Sequence, residues 1–176
     1  MAISMYSASV PALVRSLNNL VGILEKGAAY AEAKQVESTV LLNTRLYPDM
    51  FPLVRQVQIA SDISRRGVAR LAGLEAPSIE DNEKTFPELI ARLKNTISYL
   101  ETFAQEQIDG SEEKPIALPI RDEVFHFQGF PYLNFFILPN VYFHVTTAYD
   151  ILRHCGVELG KIDFLGKPEV GSGLAE

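Results

Sequence analysis

Tryptophan is absent from the 176-residue sequence, cysteine occurs once and histidine only three times. A lone Cys155 excludes an intrachain disulfide and makes a reducing compartment the default, so a cytoplasmic protein is expected. Positive charge is in the minority: 16 Lys and Arg stand against 22 Asp and Glu, for a formal charge of -6. The basic residues are scattered, whereas a nucleic-acid surface needs them clustered to displace counterions, so no nucleic-acid partner is expected. No stretch approaches the roughly 20 apolar residues that cross a bilayer, so no membrane partner is expected either. The opening MAISMYSASV has no basic segment and no long apolar run, and no signal peptide is read there. A Gly-rich phosphate loop is missing, because Gly171 and Gly173 do not lie between a strand and a helix. No nucleophile-elbow motif surrounds any Ser or Thr.

What is present is helical periodicity. With 47% hydrophobic residues the chain is long enough to bury a single sizeable core. Val10, Leu13, Val14, Leu17, Leu20, Val21 and Leu24 recur at three- and four-residue steps, predicting a helix near 7–26 that stops at Gly27. Ala28–Val36 is open to a further short helix. Leu41, Leu42 and Leu46 are expected to be buried in the crossing that follows, with Arg45 either solvated or tied to a carboxylate. A second helix is expected over 49–72, opened by Asp49 and ended by Gly73, with Leu53, Val57, Ala60, Ile63, Gly67 and Leu71 on its inner face and Gln56 along the edge. Arg65, Arg66 and Arg70 near its end read as a solvated basic face that complements the helix dipole. Thr85 followed by Glu88 is a capping box and predicts a third helix over 85–107.

Between 115 and 128 the period changes to two: Ile116, Leu118 and Ile120 alternate, as do Phe125 and Phe127. Two short antiparallel strands are expected, with His126 on the outer face or at a pocket mouth. The aromatic stretch 129–138 leads into a fourth helix over 138–155, closed by Gly156. Its inner stripe of Val141, Val145, Ala148, Ile151, Leu152 and Cys155 also carries His144, one turn after Asn140. Four helices with short and medium connections make an all-α four-helix bundle over residues 1–165, with 166–176 as a flexible tail.

RLYPDMFPLVRQVQIA, the segment around FHFQG, and LPNVYFHVTTAYDILRHCGVELGKIDFLG resemble an uncharacterised domain-of-unknown-function family. That family is grouped with the DinB/YfiT-like four-helix bundles, which are regarded as metalloenzymes. The resemblance implies an up-up-down-down course with one long crossover, and a homodimer. Metal-binding members of the superfamily use one histidine on the second helix and two, four residues apart, on the last. Carried over from the closing Gly156, His144 takes the place of the second of that pair and Asn140 the first. Gln56 stands on the second helix, with Gln58 as its less favoured equivalent. Two of the three ligands are thus amides.

A catalytic zinc wants about three N, S or carboxylate donors and an open position, and a neutral amide oxygen is a weak donor to it. The three groups can instead satisfy one another by hydrogen bonds. The expectation is therefore a degenerate metal site with no cofactor, in a bundle holding an apolar small molecule between its helices. The alternative is a metal-dependent enzyme of the thiol-transferring kind, with His144 as the surviving ligand. No catalytic residue is assigned. His154 and Asp150 read as an exposed helix pair, and Cys155 as a small hydrophobe.

Overall fold

The structure is a computed structural model that describes residues 3–167. Its first helix, α1 (Met5–Ala33), starts on a capping box: Ser4 Oγ accepts from the Ser7 amide at 3.2 Å and Ser7 Oγ from the Ser4 amide at 3.0 Å. It runs through the expected stop at Gly27. That glycine is buried against Phe86 and Leu152, and a Cβ there would lie 3.1–3.2 Å from their side chains. It allows close packing and does not end the helix. In α2 (Ser38–Leu42), Leu41 and Leu42 are buried as expected, but Leu46 beyond it is 39% exposed. Arg45 meets no carboxylate among the described residues, and donates to the Pro48 and Met50 carbonyls at 3.4 and 3.2 Å.

Helix α3 (Leu53–Ala72) begins later than Asp49. Phe51 precedes Pro52, and a residue before proline is driven out of the helical region. Its far end is as expected, with Gly73 left-handed at φ 78° and the Leu74 amide donating back to the Ala69 carbonyl at 2.8 Å. The Thr85–Glu88 capping box opens α4 (Phe86–Leu100). This helix stops short of 107: Phe103 turns into the core, Thr102 Oγ1 donates to the Tyr99 carbonyl at 2.7 Å, and the one-turn α5 (Gln105–Ile108) follows.

Strands β1 (Pro115–Ile120) and β2 (Glu123–Gln128) pair antiparallel, with Pro115 opposite Gln128 and Ile120 opposite Glu123. Ile116 and Leu118 face the core, while His126 opposite Ala117 is exposed. The aromatic stretch is itself helical: α6 (Gly129–Tyr132) passes through a π-helical turn (Leu133–Ile137) into α7 (Leu138–His154). Gly156, at φ 95°, closes α7 as expected, with the Val157 amide on the Leu152 carbonyl at 3.1 Å. The short α8 (Lys161–Leu165) returns to α1, where Arg15 donates to the Leu165 and Lys167 carbonyls at 3.1 and 2.8 Å. The start of the expected flexible tail is thus held on α1; its remainder lies outside the described residues.

Helices α1 and α3 each pack against both α4 and α7, making the four-helix bundle. The directions differ from up-up-down-down. Gly27 near the end of α1 abuts Phe86 at the start of α4 and Leu152 near the end of α7. Asp109, just after α5, accepts from the Tyr6 amide at 2.8 Å, placing the end of the α4–α5 run beside the start of α1. Gly67 in the second half of α3 abuts Ile137, just before α7. The course is therefore up-down-down-up. The long crossover is the 73–85 segment, which leaves the end of α3 and runs back along it until Asp81 pairs with Arg55 near its start.

Candidate functional site

Gln56, in the first turn of α3, and His144, in the middle of α7, face each other because α3 and α7 pack directly. Gln56 Nε2 donates to the Phe51 carbonyl at 2.9 Å, which turns its Oε1 toward the imidazole. His144 Nδ1 lies 2.7 Å from that oxygen. An amide oxygen only accepts, so Nδ1 carries the proton in the neutral ring and Nε2 the lone pair. Burial, aided by the positive charge of Arg55, pushes the His144 pKa down to about 4, and the ring is neutral near pH 7. Asn140 does not join the pair. Its Nδ2 donates to the Phe136 carbonyl one turn back on the chain, at 2.7 Å. The expected cluster of three is thus a bridge of two plus an amide bonded along its own helix.

Gln58 belongs elsewhere. Its Nε2 donates to Glu83 Oε2 at 2.9 Å and its Oε1 accepts from Arg55 at 3.1 Å, both within a buried ionic network. The hub of that network is Arg92, 3% exposed, which meets Asp62, Asp81 and Glu83 at 2.9 Å each and the Glu80 carbonyl at 3.0 Å. Burial works against the Arg92 charge, but the Glu83 hydrogen bond and the charges of Glu83, Asp62 and Asp81 outweigh it and hold its pKa above the ordinary arginine value. Asp62 is shared by Arg92, Arg65 and Arg66, at 2.9, 3.0 and 3.2 Å. Arg65 was expected on a solvated face; it is 1% exposed, drawn inward by Asp62, and its Nε and Nη1 have no partner among the described residues. Arg92 carries no sequence motif that marks it as a hub. The signal was available: it lies three residues after Leu89 and four before Thr96, on the inner stripe of α4.

Beside this network, and sharing Arg55, Asp62 and Arg66 with it, the flank of α3 and the sheet enclose an open cleft of about 250 Å³. Arg55, Asp62, Arg66 and Arg70 line one side, and Leu118, Pro119, Tyr132 and Phe136 the other. Tyr132 and Phe136 stack with ring centres 5.5 Å apart and planes at 13°. Burial raises the Tyr132 pKa against the opposing pull of Arg70, so its hydroxyl stays neutral. His154 and His126 are exposed and Cys155 is half-buried; none of them lines this cleft.

Residues 5–165 match a family described as "Domain of unknown function (DUF1993)". The chain belongs to the DUF1993 family. Among solved structures, the crystal structure of a DinB family member protein from Shewanella denitrificans, at 1.83 Å resolution, is 42% identical to it. The similarity covers 93% of this chain and 92% of that one, with a TM-score of 0.86. No curated protein matches. The DUF1993 chain thus has a DinB-like helical bundle bearing a small two-stranded sheet. Among its described residues no helix is long and apolar enough to cross a membrane.

Gln56, Asn140 and His144 together fit a zinc ion poorly. Gln56 Oε1 faces the His144 proton, Asn140 is bonded within its helix, and one imidazole nitrogen is left. Among the described residues no three His, Cys, Asp or Glu side chains are grouped so as to hold a metal.

Proposed function

We propose that this DUF1993 protein is a metal-free bundle that binds a small molecule with an apolar body, and that its superfamily metal site is degenerate. The observation that carries the reading is the 2.7 Å bridge between His144 Nδ1 and Gln56 Oε1. It occupies the Gln56 oxygen and one ring nitrogen, so that of these two side chains only His144 Nε2 remains as a donor for a metal. The cleft against Phe136 and Pro119 supplies the apolar wall. Its opposite wall sets three arginines beside Ile59 and Ile63, so a wholly apolar ligand would leave the guanidiniums unmatched. A cytoplasmic, homodimeric protein without a nucleic-acid partner belongs to the same proposal. Supporting it are the lone Cys155, the acidic net charge and the exposed aromatic residues Phe130 and Phe135.

The second reading, a metal-dependent thiol-transferring enzyme, draws on one feature: the His144 Nε2 lone pair has no hydrogen-bond partner among the described residues. Elemental analysis and thermal melting separate the two. Protein purified without chelator should carry far less than one zinc, nickel or iron per chain. Its melting temperature should be unmoved by added metal, because a ligand stabilises only as it binds the native state. Near-stoichiometric metal, lost in His144→Ala, would establish the second reading instead.

A further inference from the structure

We infer that the cleft between α3 and the sheet is a site for a small organic anion, its carboxylate or phosphate held by Arg70 and Arg66 and its apolar body lying against Phe136 and Pro119. The inference rests on the small-molecule reading above and names the class of molecule.

Arg70 carries the argument. Of the other arginines around it, Arg55 is committed to Asp81 and the buried Arg65 and Arg92 to Asp62, whereas Arg66 is exposed and meets Asp62 through Nη2 alone. Arg70 has no carboxylate within ion-pair distance among the described residues. Its polar partner among the described residues is the neutral Tyr132 hydroxyl, at 3.3 Å from Nη1. A guanidinium offers a planar fork of donors that matches the two oxygens of a carboxylate or phosphate, and here most of that fork is unspent. The Tyr132 oxygen accepts from Arg70, and its own proton has no acceptor among the described residues, which adds a donor beside the same point. Arg66 stands one helical turn before Arg70, on the same flank of α3. Asp62, the one carboxylate lining the cleft among the described residues, is already divided among three guanidiniums and leaves the wall basic.

Size and shape limit the ligand. A cleft of about 250 Å³ lies just below the usual range of ligand pockets, which begins at roughly 300 Å³, so a single ring with a short acidic arm suits it. The apolar wall is presented mainly by Phe136 and Pro119, because Tyr132 and Leu118 are only 1% and 5% exposed. On the far side of Arg66 and Arg70 lies a second cleft, but Glu75 lines it and opposes an anion there. The balance of charge favours the first cleft.

The test uses the full chain and four probes: phenylacetate, phenyl phosphate, the neutral phenylacetamide and inorganic phosphate. Binding is followed by calorimetry and by amide shifts in NMR spectra at low ionic strength. The organic anion with the better-fitting head group should bind at least roughly tenfold more tightly than phenylacetamide, and added salt should weaken it. Arg70→Gln should reduce that affinity by a similar factor while leaving the amide unaffected. Arg66→Gln, at an exposed side chain, is the second variant should Arg70→Gln lower the melting temperature. Equal binding of phenylacetate and phenylacetamide would overturn the inference and leave the small-molecule reading intact. Inorganic phosphate binding as well as phenyl phosphate would overturn the organic part of it. Failure of every probe, charged or neutral, would overturn the small-molecule reading itself.

Discussion

His144 is uncharged in the fold because water is excluded from it and Arg55 repels a second positive charge. In the unfolded chain the same ring would titrate near its ordinary value of about 6.5. Between those values the unfolded state binds more protons than the folded state, so stability must rise with pH there. The contribution is complete above about pH 6.5, falls as the pH drops toward 4, and levels off below that. Between pH 7 and pH 5 it amounts to about 2 kcal/mol, readable as a fall in the urea midpoint. His144→Ala should lack this part of the slope and cost about 1–3 kcal/mol at pH 7, through lost packing and an unpaired Gln56 oxygen. A variant with the wild-type slope would place the titration elsewhere. That Gln56 and His144 face one another followed from the family resemblance, since the helical period placed His144 on an inner stripe but Gln56 only along an edge. That Asn140 would turn back to the Phe136 carbonyl was not, since both choices satisfy its amide equally well.

At the scale of elements, the ionic network fastens the 73–85 crossover. Asp81 and Glu83 come from the crossover, Asp62 and Arg55 from α3, and Arg92 from α4. Such a network is costly to break by halves, because a buried charge left without its partner costs more than the pair contributes. Asp62→Asn leaves Arg65 and Arg92 under-compensated and should destabilise the fold by about 3 kcal/mol or more in chemical denaturation. Arg66→Gln, changing an exposed partner of the same carboxylate, should cost less than about 1 kcal/mol. Equal effects of the two would mean that burial does not set the cost. The helices bearing these groups were legible from period, caps and closing glycines. The network was not: its bonds join residues up to 30 apart, such as Asp62 and Arg92, and no local pattern records such a pairing. The same long-range contacts decide the helix directions, which is why the up-down-down-up course emerged only from the packing of Gly27 and Gly67.

For the whole molecule, the sheet and the helical aromatic stretch lie along the flank of α3, with Tyr132 buried and Phe130 and Phe135 52% and 73% exposed. Tyr142 and Phe143 on α7 are exposed as well. The proposed homodimer is expected to cover part of this surface, and sedimentation at micromolar concentration should give twice the 19.6 kDa chain mass. A monomer mass would remove the dimer from the account. The metal question reaches furthest, since it divides a binding bundle from a metalloenzyme. It is tested most directly by the ¹⁵N shifts of the His144 ring, followed through a pH titration and then through addition of zinc. The account predicts a neutral ring protonated at Nδ1 with a pKa of about 4, its shifts unchanged by equimolar zinc. A ring protonated at Nε2, or ring nitrogen shifts that move stoichiometrically with zinc, would contradict it.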